Sequence, residues 1–440
     1  MKIKAGIKLG VCTALLLSTV VACSNKDASP GAAQSEKGVK ITFYTVDQNN
    51  AFSELVKAYQ QERPEVKIEL LNAQAGTDYI QKYEALQASS NPPTAAMLEQ
   101  QTVLKFKDTL LDLEPEKAKY EKLTLPGTIE RNLFEGKFVG VPWTTQGYGL
   151  LYNKRVVEEA IGGAFDPASV KTRNDLEALF KKVEAAGKAP VLIHGSDWSL
   201  GSHYLSLAYG LQSKKVEDNR KFLEGLKKGS VDLSGNPQFN GLLDTFDLLK
   251  KYNLRKNDPI VADFNKDTID FAKGNAAFYF MGDWAWSVMD PVEGRDKQFG
   301  IMPVPISNNP DDYGNQEIPV LEPFLYTIDK TRATPEQQEA AKQFFEWMVT
   351  SEQGQNSIIS KMGLIMPYKD LKVKGTNAIS PSISNYVKEG KVINLGMFKF
   401  LPGDHYAKLG ASMQKYLINK IDRKGFIKEM ESYWKSQAVN

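Results

Sequence analysis

Aromatic rings beside carboxylates are the side chains in this sequence whose types and spacing could recognise a ligand. Asp283 precedes Trp284, Asp197 precedes Trp198, and Tyr44 stands three residues before Asp47. An aromatic ring covers a flat C–H surface and buries a large area at low entropic cost. A carboxylate accepts charge-assisted hydrogen bonds from two adjacent hydroxyls. The combination suits a neutral guest with an apolar face and a hydroxyl rim, as a sugar has. Any one pair is equally compatible with a core tryptophan beside a solvated acid. Glu99 joins the set because it follows the short strand-like run Thr94–Leu98. Trp347 and Trp434 fall in amphipathic helical patterns and are expected in the core, and Trp286 is expected to pack rather than to contact a ligand.

Other chemistries lack their residues. The three histidines, His194, His203 and His405, are far apart, and the chain has neither an H-E-x-x-H motif nor a cysteine cluster, so no metal centre is expected. There is no G-x-S-x-G and no phosphate-binding loop, and Gly147-Tyr148-Gly149 lacks the rest of a dinucleotide fingerprint. No cofactor is expected.

The elements that must hold the candidates read as alternating strands and helices. Val39, Ile41 and Phe43 alternate as a strand; Phe52, Leu55, Val56 and Tyr59 recur at helical spacing up to Pro64; Val66, Ile68 and Leu70 alternate again. Strand, helix and strand within about thirty residues make a βαβ unit and hence a parallel sheet. A helix near Asp78–Ser89 follows. In such sheets ligands sit beyond the carboxyl ends of the strands, where Tyr44, Asp47 and Glu99 lie. Phe138–Pro142 and Tyr148–Tyr152 read as strands, with two glycines bracketing Tyr148 as a passage between domains would. A second α/β region follows: a helix with Leu176, Leu179, Phe180 and Val183, the strand Val191–Ile193, and a helix opened by Asn236-Pro237. Strands at Ala276–Met281 and Phe299–Val304 come next. Strand pattern resumes over Ile318–Ile328, Thr334-Pro335-Glu336-Gln337 is a capping box, and the remainder reads as mostly helical. No internal repeat is present.

The N-terminus predicts where the protein works. Lys2, Lys4 and Lys8 precede the apolar run Leu9–Cys23, and no acid occurs before Asp27, the layout of a secretory signal peptide. The run is too short to cross a bilayer, which takes about 20 apolar residues. Val20-Val21-Ala22-Cys23 resembles a bacterial lipobox, which implies cleavage before Cys23 and lipidation of its thiol. Acyl chains there, palmitate among them, would anchor the protein to the membrane. Of 55 basic residues three leave with the leader, so 52 face 53 acids. That balance offers no electrostatic case for nucleic acid or an anionic membrane surface. Cys23 is then the sole cysteine, which excludes an intramolecular disulfide. Ser24–Gly38 has no large apolar side chain and is expected to be a flexible tether.

Several segments, in order, resemble the family 1 extracellular solute-binding proteins, the sugar-binding lipoproteins of ATP-binding-cassette (ABC) importers related to maltose-binding proteins. They are the lipobox, Glu62-Arg63-Pro64, Val141-Pro142 through Lys154, Phe271-Ala272-Lys273-Gly274 through Trp286, Phe299 to Pro303, Ala341 to Gly354, and Gly363 to Pro367. The resemblance implies an α/β fold of type II with two lobes, mixed and largely parallel sheets, and three crossings, near Gln146, Ser307–Gln316 and Leu364–Pro367. The corresponding organisation is 1–22 signal peptide, 23–38 tether, 39–146 with 315–365 as the N-terminal lobe, and 147–314 with 366–440 as the C-terminal lobe. Trp284 matches the position of a sugar-stacking tryptophan, Trp198 resembles another stacking position, and His405 with Tyr406 falls near a third. Leu321-Glu322-Pro323 departs from the small residues common there, so Glu322 is either a ligand contact or a loop acid.

The expected function is therefore a sugar receptor without catalysis of its own, delivering a sugar or oligosaccharide to the transmembrane subunits of an ABC permease. The receptor is expected to be a monomer, lipid-anchored through Cys23 at the outer face of the cytoplasmic membrane: the cell surface in a Gram-positive host, the periplasmic side otherwise. Trp284 and Trp198 are the candidates for stacking; Asp47, Glu99 and Asp283 for hydroxyls; Tyr44, Trp143, Tyr148, Glu322 and Tyr406 complete the set. Two rivals stay open. A surface glycoside hydrolase needs two carboxylates at the right separation, and a receptor for peptides or polyamines needs matched charges more than stacked rings.

Overall fold

Val39, Ile41 and Phe43 alternate with Lys40 and Thr42, and the first strand forms where that alternation predicts, with Ile41 and Phe43 fully buried. The protein is described from a computed structural model that covers residues 38–45, 50–73, 77–89 and 92–438. The leader, the tether up to Lys37 and the candidates Cys23 and Asp47 lie outside the described residues.

In chain order the strands are β1 (Val39–Thr45), β2 (Val66–Asn72), β3 (Ala95–Glu99), β4 (Val141–Pro142), β5 (Gln146–Asn153), β6 (Ala189–Ile193), β7 (Ala276–Gly282), β8 (Phe299–Met302), β9 (Ile318–Leu321), β10 (Phe324–Ile328) and β11 (Val392–Asn394). They form two sheets, one ordered β2-β1-β3-β10-β4 and the other β11-β9-β5-β7-β6 with β8 also paired to β5. The predicted βαβ unit is present: β1 and β2 are parallel, Val39 opposite Val66 and Thr45 opposite Asn72. The intervening helix Ala51–Glu62 buries Phe52, Leu55, Val56 and Tyr59, the face read from spacing. On this face of the first sheet Phe43 stacks on Phe52 with centroids 5.2 Å apart, and Phe344 and Phe345 from the helix Pro335–Thr350 close the core.

The second sheet has its own cores. Trp286, Phe271, Tyr279 and Ile301 pack on one face, while Tyr148, Phe246, Phe280 and Trp434 belong to the larger core on the other. Trp434 is fully buried, its indole N–H donating to the Tyr209 hydroxyl at 3.1 Å. Trp347 is half-buried and donates to Glu62 at 3.0 Å. The structural roles expected for these tryptophans are the ones observed.

Three expectations need correction. The sheets are mixed rather than largely parallel: β5 is antiparallel to β7, β8 and β9, and β10 is antiparallel to β3 and β4. A strand entering a sheet from its neighbour need not follow a βαβ crossover, so direction is free to reverse. The second crossing is not at Ser307–Gln316. The strand β9 still belongs to the second sheet, and the chain passes to the first at Glu322-Pro323, between β9 and β10; Pro323 has no N–H to continue a ladder. The third crossing comes after Leu364–Pro367. Thr145 donates to the Ile365 carbonyl at 2.8 Å, Tyr368 to that of Pro142 at 2.6 Å, and the Lys369 N–H to that of Leu123 at 2.9 Å, so this segment stays with the first sheet. Ile379 is already packed in the core of the second. The strand β11 lies in the stretch that reads as helical.

Candidate functional site

Two neighbouring parallel strands carry the two tryptophans. In β6 and β7, Ile193 lies opposite Phe280, so their carboxyl ends emerge side by side. Beyond β6 the Asp197 carboxylate accepts from the Trp198 N–H at 2.8 Å and opens the helical segment Trp198–Tyr204. Asp197 is thereby a cap. Beyond β7 the chain turns at Asp283–Ala285. Gly282 is required there, because a Cβ on it would lie 2.0 Å from Trp284 Cζ3: the indole folds back across its own strand end.

Both tryptophans remain half-buried, and His203 stands between them. Its ring centroid is 4.7 Å from Trp284, 5.5 Å from Trp198 and 4.9 Å from Tyr148. Burial pushes the imidazole down to about 4, so the ring is neutral at physiological pH. Behind Trp198, His194 packs at 5.1 Å with Nδ1 2.9 Å from Asp267, itself held by Arg255 at 2.9 Å. Phe264 meets both rings at 6.0 Å. The result is an aromatic surface backed by His194 and Phe264, with the neutral His203 at its centre.

The other candidates divide clearly. Tyr148 is fully buried beneath this surface, its hydroxyl 3.3 Å from that of Ser206. Asp283 is also fully buried. Its Oδ1 accepts from the Gly147 N–H at 3.0 Å, its Oδ2 has no partner, and burial pushes its carboxyl up to about 7. Tyr406 is half-buried in the first turn of the helix His405–Leu417. That helix meets the Trp198 segment at two glycines: a Cβ on Gly201 would lie 2.4 Å from the Tyr406 carbonyl oxygen, and one on Gly410 2.5 Å from that of Asp197. His405 is a core residue, 2.9 Å from the Tyr209 hydroxyl and pushed down to about 3 by burial.

The first-sheet candidates are packed inward or otherwise engaged. Tyr44 donates to the Tyr79 carbonyl at 2.6 Å and stacks on that ring at 4.8 Å, with 2 % of its surface exposed. Trp143 stacks on Tyr326 at 5.0 Å in the core. Glu99, at the end of β3, is half-buried, receives a hydrogen bond from Gln101 and is pushed up to about 7 by desolvation. Glu322 is 1 % exposed and bound to Arg131 at 2.6 Å, with Asn132 and Thr145 at 3.3 and 3.4 Å. It is an anchored residue of the second crossing. Tyr44, Trp143 and Glu322 thus present no open face to a ligand here.

Two residues escaped the sequence reading. In the sequence His203 bears only on a metal site; its place five residues after Trp198, inside the same helical segment, is the signal that marks it. Lys399, in the turn Gly396–Phe400 of the second-sheet region, donates to the carbonyls of Arg131 and Leu133 at 3.0 Å each and lies 5.1 Å over the Phe134 ring, with its pKa pulled down to about 8 by desolvation. Nothing local in sequence foretells a contact across so long a separation. Among the described residues no group of three or more His, Cys, Asp or Glu could hold a metal ion, and no helix is long and apolar enough to cross a membrane.

Comparison with known proteins gives this geometry a family. A relative from Mesorhizobium japonicum, named "Probable sugar-binding periplasmic protein", is 30% identical over 209 residues, 46% of this chain and 47% of that one. The match thus spans about half of that relative's length. The diacetylchitobiose binding protein DasA of Streptomyces coelicolor is 20% identical over 309 residues, 67% of this chain and 68% of its own. Among solved structures, RafE in complex with raffinose superposes with a TM-score of 0.74 at 18% identity, covering 91% of this chain and 100% of that one. Maltose-bound MalE3 of T. maritima does so at 0.66 and 20%, covering 91% and 100%. The fold is therefore that of these binding proteins. The model of one family, described as bacterial extracellular solute-binding protein, matches residues 54–379, and the chain belongs to that family.

Proposed function

We propose that this solute-binding protein captures a sugar or oligosaccharide on the surface made by Trp198 and Trp284 and delivers it to the permease of an ABC importer. The observation that carries the reading is the pair of half-buried indoles at adjacent strand ends with the neutral His203 between them. Such a surface matches the C–H face of a pyranose, and its central ring, the neutral His203, offers no charge to a peptide terminus or a polyamine. The sugars named for the relatives, raffinose, maltose and diacetylchitobiose among them, support the same class. In this reading the residues on each sheet form a lobe, hinge motion at the three crossings closes the lobes on the sugar, and the closed form docks on the permease. Lipidation of Cys23 holds the monomer at the outer face of the membrane, and the protein performs no catalysis.

Calorimetry and thermal shift with raffinose, maltotriose, diacetylchitobiose, a tripeptide and spermidine test the proposal. A sugar is expected to bind and, at 100 times its dissociation constant, to stabilise the protein by about 2.7 kcal/mol. Binding of the peptide or spermidine with no sugar response would overturn it, and so would new reducing ends released from an oligosaccharide.

A further inference from the structure

The chemistry of a carboxylate beside a tryptophan makes Asp283 a candidate for ligand hydroxyls, but its bonds run the other way. Oδ1 accepts from Gly147, the second residue of β5, immediately after the first crossing. Gly147 in turn lies opposite Val320 of β9, just before the second crossing at Glu322-Pro323. The main-chain carbonyl of Asp283 accepts from Asn377 Nδ2 at 3.3 Å, and the same amide donates to the Gly363 carbonyl at 2.7 Å, so the two ends of the third passage meet at this turn. Asn377 is 4 % exposed. The turn that presents Trp284 is thus fastened to all three passages between the sheets. Oδ2 is buried without a partner and no cation pairs with the group, an arrangement that opposes stability and is typical of functional positions.

We propose that Asp283 is a positioning residue: through Gly147 it ties the Trp284 turn to the crossings, so that a ligand seated on Trp284 is registered at the hinge, and it does not touch the ligand itself. The inference rests on the reading of Trp284 as the ligand surface. Asp283→Asn keeps an acceptor for the Gly147 N–H, whereas Asp283→Ala removes it.

Both variants are compared with the wild type in two measurements. One is calorimetric affinity for raffinose and diacetylchitobiose. The other is the distance distribution between spin labels at exposed Lys57 and Lys221, one on each sheet's helical cover, with Cys12 and Cys23 replaced by alanine. Asp283→Ala is expected to weaken affinity roughly tenfold or more and to broaden the ligand-free distances, while Asp283→Asn stays within about threefold and keeps the wild-type distribution. Asp283→Asn binding as weakly as Asp283→Ala, with cooperative melting retained, would make the carboxylate a ligand contact and overturn the proposal. Ligand-free distances in Asp283→Ala equal to the wild type would also overturn it. If neither sugar binds the wild type, the sugar reading falls, yet the ligand-free distances still decide the positioning role. Should Asp283→Ala fail to fold, Asn377→Ala cuts the carbonyl tie instead: broadened distances support the inference and unchanged ones overturn it.

Discussion

The ends of the second sheet and the ends of the first treat aromatic residues in opposite ways. Trp198 and Trp284 sit on helical turns after β6 and β7 have finished and keep part of each ring accessible. Tyr44 is still inside β1, and Trp143 follows β4 directly; both are buried, one on Tyr79 and the other on Tyr326. The lesson is geometric. A residue in a strand projects into one of the faces that a two-sided α/β sheet must cover, whereas Trp198 and Trp284 on the turns beyond are covered only in part, Trp284 by the cores of both faces. Position past the strand end does not decide exposure alone, since Trp286, two residues after Trp284, is packed in the core.

That contrast can be broken by substitution. Trp143→Ala is expected to lower stability by about 3–5 kcal/mol, the range for a large core ring, read as the midpoint of urea unfolding, and to leave saturable binding intact at low temperature. Trp284→Ala is expected to do the reverse, weakening sugar affinity by about 2 kcal/mol or more with little change in that midpoint. If both variants lose the same property to the same degree, the contrast between the sheets has no functional meaning.

The smallest effect concerns charge. Burial raises Asp283 in the folded state to about 7 from the ordinary aspartate value. The folded protein therefore binds this proton more tightly than the unfolded chain. Its contribution is unpenalised below the unfolded value near 4 and is lost progressively as pH rises toward 7. The full shift corresponds to about 4 kcal/mol as an upper limit. Asparagine removes that charge but leaves an unpaired amide hydrogen, so Asp283→Asn is expected to gain about 1 kcal/mol at pH 8 and nothing at pH 4. Equal melting temperatures for the two proteins at pH 8 would show that the carboxylate is solvated.

Local signals in the sequence carried the elements well. Asn236 caps its helix through the Phe239 N–H at 2.8 Å, and Thr334 and Gln337 form the predicted capping box. Both depend on residues three apart. Sheet membership was poorly legible because it depends on partners far away along the chain. Ile318–Ile328 reads as one strand-like run, yet β9 pairs with Gly147 and β11 while β10 pairs with β3. Type and spacing single out Trp284 and Trp198, which the structure brings to neighbouring strand ends, whereas the engagement of Glu322 by Arg131, 191 positions upstream, could not be read from either residue's surroundings.

The glycine-to-glycine contact of the Trp198 segment with the helix His405–Leu417 has a bearing on biosynthesis. Gly201 and Gly410 let two backbones touch, and Gln414 reaches back to the Gly195 carbonyl at 2.8 Å. The Trp198 segment, though already backed by His194 and Phe264, therefore lacks this buttress until synthesis has passed Gln414. A protein clipped before His405 keeps Trp198 and Trp284 and lacks the helix that buttresses the Trp198 segment.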